Sequence, residues 1–295
     1  MKVYGASGSA SSPDAVGGYR GVAGWLPAHD AAVAAVLSAA HSASEQTPAS
    51  CQVRRRARPR LPAARTVPAA QAVPRGRLGY RTSGDPLLCH ALIDAGAYEQ
   101  LRSTGRVGPD AAHVRGSEVS SPEFAAAYDW MRWQMHRRID GYTGRYPMWL
   151  WARIRRYDLT SLVRHSAAEF PGQVLLTLRV PAGRVVLSDF MAWHSVLNGG
   201  AEVPLDCPVC GRPRCNEQAC LEAWFDEWCD AWDARTPRSS DGNLHPWWAW
   251  PAALQAALFA TWETVLQPHP RYAVQACVEF IEADWVLDAV VPVTD

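Results

Sequence analysis

The chain has 295 residues, enough for one or two domains, and its 29 basic and 29 acidic side chains cancel. The balance is uneven, because residues 1–77 carry 10 basic against 3 acidic groups and the remainder 19 against 26, while 13 of the 14 tryptophans lie beyond residue 77. No apolar run approaches the ~18 residues of a membrane span, and the start of the chain lacks the basic-then-apolar pattern of a secretory signal, which disfavours both classes and leads us to expect a cytoplasmic protein.

Residues 1–77 are rich in Ala, Ser, Pro, Gly and Arg, with a single tryptophan, Trp25. Such a composition buries too little apolar surface to offset chain entropy, so the segment reads as disordered. A short helix over residues 31–40 fits the local alanines, and Arg54, Arg55, Arg56, Arg58 and Arg60 offer a nonspecific contact to nucleic acid. Lys2 is the only lysine beside 28 arginines. That bias is expected of GC-rich coding, so the arginines argue little for such a contact, and translation from a later start would also account for the segment.

A folded domain is expected over residues 78–295. Leu78, Gly79, Tyr80, Arg81 and Thr82 make a short strand pattern. Asp85 before Pro86 supplies a helix cap and a first-turn proline, so a helix is expected to about Leu101. Ser121, Pro122 and Glu123 repeat that start signal, and Phe124, Tyr128, Met131 and Met135 form the apolar stripe of an amphipathic helix. Residues 146–154 alternate and are rich in aromatics, and 174–180 and 185–187 flank the turn Pro181-Ala182-Gly183, giving three strands. Leu221, Trp224, Phe225, Trp228 and Trp232 then recur at helical spacing with Glu222, Asp226, Glu227, Asp230 and Asp233 between them, which defines an acidic amphipathic helix. A loop over 233–246, a helix over 252–267 stopped by Pro268 and Pro270, and strands over 272–281 and 288–293 complete the chain. No internal repeat is visible. The fold class is α+β: a mixed or antiparallel sheet with packed helices, preceded by the disordered segment and carrying a small Cys-rich insertion at 205–221.

Four cysteines lie in that insertion, Cys207, Cys210, Cys215 and Cys220, spaced C-x2-C-x4-C-x4-C. Pro208 and Gly211 suit the tight turn from which two thiolates reach one zinc ion, with the other two cysteines closing a tetrahedral structural site. Free thiols in an inserted loop fit the same residues. A disulfide is disfavoured because nothing marks the chain for export.

Three further groups of residues bear on chemistry. Ser188 or Asp189 can cap a short helix on which His194 and Asn198 stand one turn apart, an arrangement for proton transfer or simply a capped helix whose histidine is satisfied locally. In the late strand, Gln275, Cys277 and Glu279 alternate with core residues Val274, Ala276, Val278 and Phe280. Gln275 and Glu279 can therefore line a cleft, where they would bind hydroxyls or stabilise an oxocarbenium-like centre, or face solvent. Arg81 can grip phosphate or pair on the surface, and Arg153, Arg155 and Arg156 admit the same two readings. No GxGxxG, GxxxxGK, HExxH or GxSxG motif is present, which leaves the common dinucleotide, nucleotide triphosphatase, zincin and hydrolase readings without support.

The run from Tyr146 to Trp151, the strand around Leu176, Leu187-Ser188-Asp189-Phe190, Trp193-His194 and Val196-Leu197-Asn198 resembles an uncharacterised bacterial family known only as a domain of unknown function. The likeness extends over residues 78–295, omits the Cys-rich insertion, and carries no activity with it. A second likeness, to ADP-ribosyltransferase folds, rests on the order of Arg81, the aromatic strand and Glu279. It implies NAD held by Arg81, Tyr146 and Trp149, with Glu279 at the ribose carbon, although Gln275 stands four positions before Glu279 where those folds place a Gln or Glu two before. The readings carried forward are thus an NAD-binding transferase, a zinc-stabilised binding or regulatory module presenting the acidic tryptophan helix to a protein partner, and an enzyme of other chemistry centred on His194.

Overall fold

The structure, a computed structural model, describes residues 61–76, 78–80, 86–109, 122–213, 215, 217–243, 245–268 and 272–294. The disorder expected of residues 1–60, the helix over 31–40, the basic run and the proposed phosphate contact Arg81 lie outside these residues. The strands are β1 (Arg65–Pro68), β2 (Leu87–Ile93), β3 (Arg106–Val107), β4 (Met148–Arg153), β5 (Val174–Val180), β6 (Val186–Asp189), β7 (Val274–Val278), β8 (Ile281–Glu282) and β9 (Val286–Val293). The helices are α1 (Ala69–Ala72), α2 (Ala95–Thr104), α3 (Pro122–Arg138), α4 (Arg156–Glu169), α5 (Phe190–Leu197), α6 (Gln218–Arg235) and α7 (Ala252–Trp262).

Seven strands form one sheet in the order β1-β9-β5-β2-β4-β7-β6, and β3 pairs with β8 in a separate ladder. Every pairing is antiparallel except the edge pair β1–β9, which is parallel. The mixed, largely antiparallel sheet with packed helices is therefore as the sequence suggests.

Its centre is not. The segment Leu-Leu-Cys-His-Ala-Leu-Ile was expected to be helix, yet it is β2, paired along its whole length with β5 and at His90 with Trp151 of β4. A strand covered on both faces needs an unbroken apolar run, and over seven residues such a run looks the same as a piece of buried helix. The helix begins only at Ala95 and ends at Gly105, whose left-handed φ of 79° lets its N–H reach the Leu101 carbonyl. The strand expected over 78–82 is also absent where it can be seen: Tyr80 gives one backbone N–H to Ala152 and residues 78–80 pair no further as a ladder. The single strand expected over 272–281 is two, β7 and β8, interrupted at Glu279 and Phe280.

The sheet has one continuous core on one face and two on the other. The first packs Cys89, Ala91, Leu150, Leu176, Leu178, Ala276 and Val278 of the strands against Tyr98 and Leu101 of α2 and against Ile281 and Trp285. On the opposite face α3, α5 and α7 bring Tyr128, Met131, Trp193, Val196 and Trp262 onto Val186 and Cys277. Beside it, α1 and α4 bring Ala69, Ala72, Leu159 and Val163 onto Leu175 and Val290. Trp262 is gripped on several sides, edge-on to Trp130 at 5.6 Å and to Trp247 at 5.1 Å, while its indole N–H donates to the Gly200 carbonyl at 2.7 Å. Gly199 closes this corner with φ +69°, and a Cβ there would come within 2.2 Å of Trp247, so only glycine fits.

Residues 61–76 belong to the fold, which moves the expected boundary at residue 77 toward the N-terminus. Arg65–Pro68 is the edge strand on β9, Arg65 pairs with Asp288, and Ala69, Ala72 and Val73 are buried. Leu61 packs on the first core and, with Pro62, offers carbonyls to Arg102 and Tyr98. The composition of the segment hid this because β1 contributes backbone pairing and three small side chains rather than large apolar groups. A chain beginning at residue 77 is expected to be less stable than one beginning at 61 by at least ~2 kcal/mol, from the burial of Val73 alone. Urea midpoints of the two chains measure it, and equal midpoints would mean that β1 does not contribute.

Candidate metal centre

After β6 the chain leaves the sheet through α5 and returns to it only at β7, and the four cysteines lie on this excursion. Cys207 opens a tight turn in which its N–H donates to the Arg212 carbonyl at 3.0 Å and its carbonyl accepts from the Gly211 N–H at 2.8 Å. Gly211 takes φ +68° to close the turn, and an isolated bridge between Asp206 and Pro213 ties its stems. Cys207 and Cys210 thus project from one knuckle. Cys215 follows in the link, and Cys220 sits in the first turn of α6, where its N–H donates to the Glu217 carbonyl at 3.0 Å.

The ligand atoms of Cys207, Cys210, Cys215 and Cys220 all lie within 4.8 Å of one another. A tetrahedral Zn–S4 centre with Zn–S bonds of ~2.3 Å has sulfurs about 3.8 Å apart. The cluster is therefore compatible with metal coordination after only a small contraction. Arg212 adjoins it, its Nε 3.5 Å from the Cys210 sulfur and its terminal nitrogen 2.7 Å from Glu217. The hydrogen bonds from Arg212 pull the Cys210 thiol down to about 6, whereas burial first, and the neighbouring thiols second, push Cys220 up to about 12. Cys210 is thus the thiol most readily ionised, and Cys220 would lose its proton only on coordination to a cation.

The acidic amphipathic helix is α6, and it hangs between two anchors. Cys220 is its one buried residue, and near its other end Trp232 packs on the second core. Between them the aromatics pack mainly on each other: Phe225 stacks on Trp228 at 6.3 Å, Trp224 meets both edge-on, and Trp228 adjoins Trp232. Phe225 remains 39% exposed, at the centre of the stripe.

The other expected site residues do not come together around an open centre. Glu279 was expected to face a cleft or solvent, yet it is 3% exposed. Its carboxylate accepts from the Thr143 N–H at 2.9 and 3.1 Å, from the Thr143 hydroxyl, and from the Arg145 N–H at 3.3 Å. It holds the turn between α3 and β4, which is why β7 ends just before it. Tyr146 lies under the Arg132 guanidinium at 4.9 Å, and Trp149 packs on Trp193 at 4.9 Å inside the second core. Asp189 caps α5 through the Met191 and Ala192 N–H groups, as the sequence suggested. His194 is exposed, with Nδ1 2.7 Å from the Phe190 carbonyl of its own helix, and Asn198 donates to the His194 carbonyl at 2.6 Å. Arg155 pairs with Asp158 on the surface and Arg153 lies over Tyr80. Gln275 stands half-buried in β7, apart from Glu279. Sequence reading passed over His90, which is 1% exposed at the centre of the sheet. A lone histidine inside an otherwise apolar seven-residue run was the available signal.

Two tests follow from this geometry. In metal-stripped protein Cys210 is expected to alkylate first at pH 7, its rate falling as pH drops through about 6, where the thiolate is lost. Mass-spectrometric mapping with iodoacetamide reads this directly, and Arg212→Ala is expected to slow it; an unchanged rate would remove Arg212 from the account. Glu279→Ala removes the buried carboxylate that the Thr143 and Arg145 N–H groups share, a loss of hydrogen bonds to a charged group expected to cost ~1–3 kcal/mol in all. Urea unfolding is expected to show a loss of that order, and wild-type stability would place Glu279 outside the framework.

Residues 93–201, a little over a third of the chain, match the family model described as a domain of unknown function (DUF3841). The match runs from the end of β2 through α5, so it is narrower than the 78–295 expected and stops short of the cysteines. No curated protein and no solved structure matches the chain, and nothing supports the likeness to ADP-ribosyltransferase folds.

Proposed function

We propose that the protein is a non-catalytic binding module in which zinc, held by Cys207, Cys210, Cys215 and Cys220, fixes helix α6 for a protein partner. The observation that carries this reading is the convergence of the four sulfurs at the point where α6 begins. Four thiolates leave no coordination position for water or substrate, so the metal would supply a crosslink rather than Lewis-acid chemistry. The site's thiols would persist in a reducing compartment, in keeping with a cytoplasmic protein.

The partner's chemistry follows from α6. Its aromatic stripe is flanked by Glu222, Asp226, Glu227, Asp230 and Asp233. A second copy docking through its own α6 would bring carboxylate against carboxylate, and nucleic acid would bring phosphate against carboxylate. The complement is a segment with an apolar face bordered by Arg or Lys, which buries the aromatics and meets the acids at the rim.

Purified protein expressed with zinc is expected to contain one zinc per chain. The Cys207→Ser/Cys210→Ser variant is expected to lose it, with faster amide exchange in α6 and unchanged exchange in β2, β4 and β5. Elemental analysis with hydrogen-exchange mass spectrometry measures both. Zinc well below stoichiometry in the wild type, or an α6 indifferent to its loss, would sink the reading.

A further inference from the structure

The four cysteines of the cluster are not equally shielded. Cys207 and Cys220 are buried, Cys215 is half-buried and Cys210 is exposed. The exposed residue shares its turn with a buried one, because the Gly211 N–H closes the segment onto the Cys207 carbonyl at 2.8 Å. Residues three apart across a tight turn have Cα atoms within ~7 Å, near the ~4.4–6.8 Å that a disulfide bridges. The sulfurs of Cys207 and Cys210 already lie within 4.8 Å. A cation stands beside the accessible one, with Arg212 Nε 3.5 Å from the Cys210 sulfur. Cys215 lies farther along the chain, past Pro213, and Cys220 belongs to the first turn of α6. An accessible sulfur with a second cysteine poised next to it is the arrangement that oxidants act on in redox-sensing proteins.

We propose that the cluster is a peroxide-sensitive switch, in which a hydroperoxide joins Cys207 to Cys210 as a disulfide, the zinc leaves and the start of α6 is set free. The proposal rests on the zinc-held module and adds its regulation. The Cys210 sulfur would attack one peroxide oxygen, the O–O bond would break, and Cys210 would become a sulfenic acid while the other oxygen leaves as hydroxide. The Cys207 sulfur would then attack the Cys210 sulfur, forming the S–S bond and expelling the second hydroxide. Two thiolates give up two electrons in all, and the two hydroxides take two protons from solvent to become water. Cys215 and Cys220 alone cannot complete a four-coordinate site. They would take up one proton each as the zinc departs.

Which two sulfurs pair decides what the oxidation does. A bridge from Cys210 to Cys220 would keep α6 tied to the knuckle and change little. A bridge from Cys210 to Cys207 closes the knuckle on itself and leaves Cys220, the one buried residue of α6, without its crosslink. The helix would then be held only near its far end, where Trp232 packs on the second core, and the stripe of Trp224, Phe225 and Trp228 would no longer be fixed for a partner. The sheet would not take part, because Cys89 and Cys277 are fully buried within its cores. In a reducing compartment the disulfide would be transient, as a signal requires.

The test treats zinc-loaded full-length protein with a small molar excess of hydrogen peroxide and follows the metal with a chromophoric chelator. Release of the bound zinc is expected, with a Cys207–Cys210 disulfide in the peptide map and with Cys215 and Cys220 newly open to iodoacetamide. Amide exchange in the first turn of α6 is expected to quicken at least about tenfold while β2, β4 and β5 stay unchanged. A dithiol reductant with added zinc is expected to reverse all of this, and Cys229→Ser, outside the cluster, to release zinc at the wild-type rate. Zinc retained under peroxide would overturn the switch and leave the module standing. A disulfide that includes Cys220, or an α6 whose exchange does not change on release, would overturn it as well. Untreated protein without zinc would end the proposal together with the module on which it rests.

Discussion

Burial of β2 on both faces is the constraint on which the rest of the molecule depends. It lies at the middle of the seven-stranded sheet, with β5 along one side and β4 on the other. Its odd positions, Leu87, Cys89, Ala91 and Ile93, enter the first core. Its even positions face the side that helices must cover from two directions. No one helical layer spans that face: α3, α5 and α7 gather at the β6 side, while α1 and α4 gather at the β9 side. The helices of the two layers interleave along the chain, and α1 supplies part of the β9-side layer, which is why residues 61–76 are needed although they contain no large aromatic group. The parallel β1–β9 pairing places α1 where it can pack on α4.

The buried polar side chains of the sheet divide according to what they meet. Glu279 and Asp189 stand at the ends of β7 and β6, and each accepts backbone N–H groups that a turn or a helix start would otherwise leave unmet. Both carboxylates are consumed by the framework. A glutamate at the end of a late strand is therefore explained by the turn it holds, without a substrate. His90 and Gln275 differ in kind, because they stand inside strands whose backbone groups are already paired and their own polar atoms are left over. Carboxylates that serve the backbone stabilise the fold, while His90, held through Nδ1 by the Thr177 hydroxyl, and Gln275 each leave one buried polar atom unmet at a cost to stability.

The legible parts of the sequence were those with a clear period or a turn signal at the boundary, such as Pro181-Ala182-Gly183 after β5. Residues 146–154 and 174–180 alternate, α3 and α6 carry one apolar stripe each, and the Asp189 cap precedes a short apolar helix; all appear where periodicity places them. Periodicity is silent where both faces are dry, so β2 read as helix. It is silent again where the backbone rather than the side chains makes the contact, so β1 passed as part of a disordered tail. The metal cluster was legible because thiol chemistry fixes spacing locally, with Cys207, Cys210, Cys215 and Cys220 all within one short stretch. The alignment of His90, Trp151 and Gln275 across the sheet was not, because its members are spread over several strands and only cross-strand register brings them together.

Helix α6 shows why the cysteines are placed where they are. An 18-residue helix with a single fully buried residue draws little stability from a packed face, and most helical stability in proteins comes from such packing. Its charges do not rescue it, since Glu222, Asp226, Asp230 and Asp233 repel along neighbouring turns and only Arg235 offers a cation in the last turn. The aromatic stripe contributes mutual stacking, but with Trp224 and Trp228 half-buried and Phe225 exposed it gains only part of what full burial would provide. What remains is attachment at both ends, Trp232 on the second core and Cys220 in the sulfur cluster. On the proposed reading, a metal crosslink at Cys220 would fix the first turn, the costly nucleating step of helix formation, and part of the free energy of metal binding would become free energy of helix formation. The same economy leaves the stripe of Trp224, Phe225 and Trp228 uncommitted to the core. On the proposed reading, rings on a helix tethered at its two ends would be available for association, and the acids beside them would favour a segment bordered by Arg or Lys.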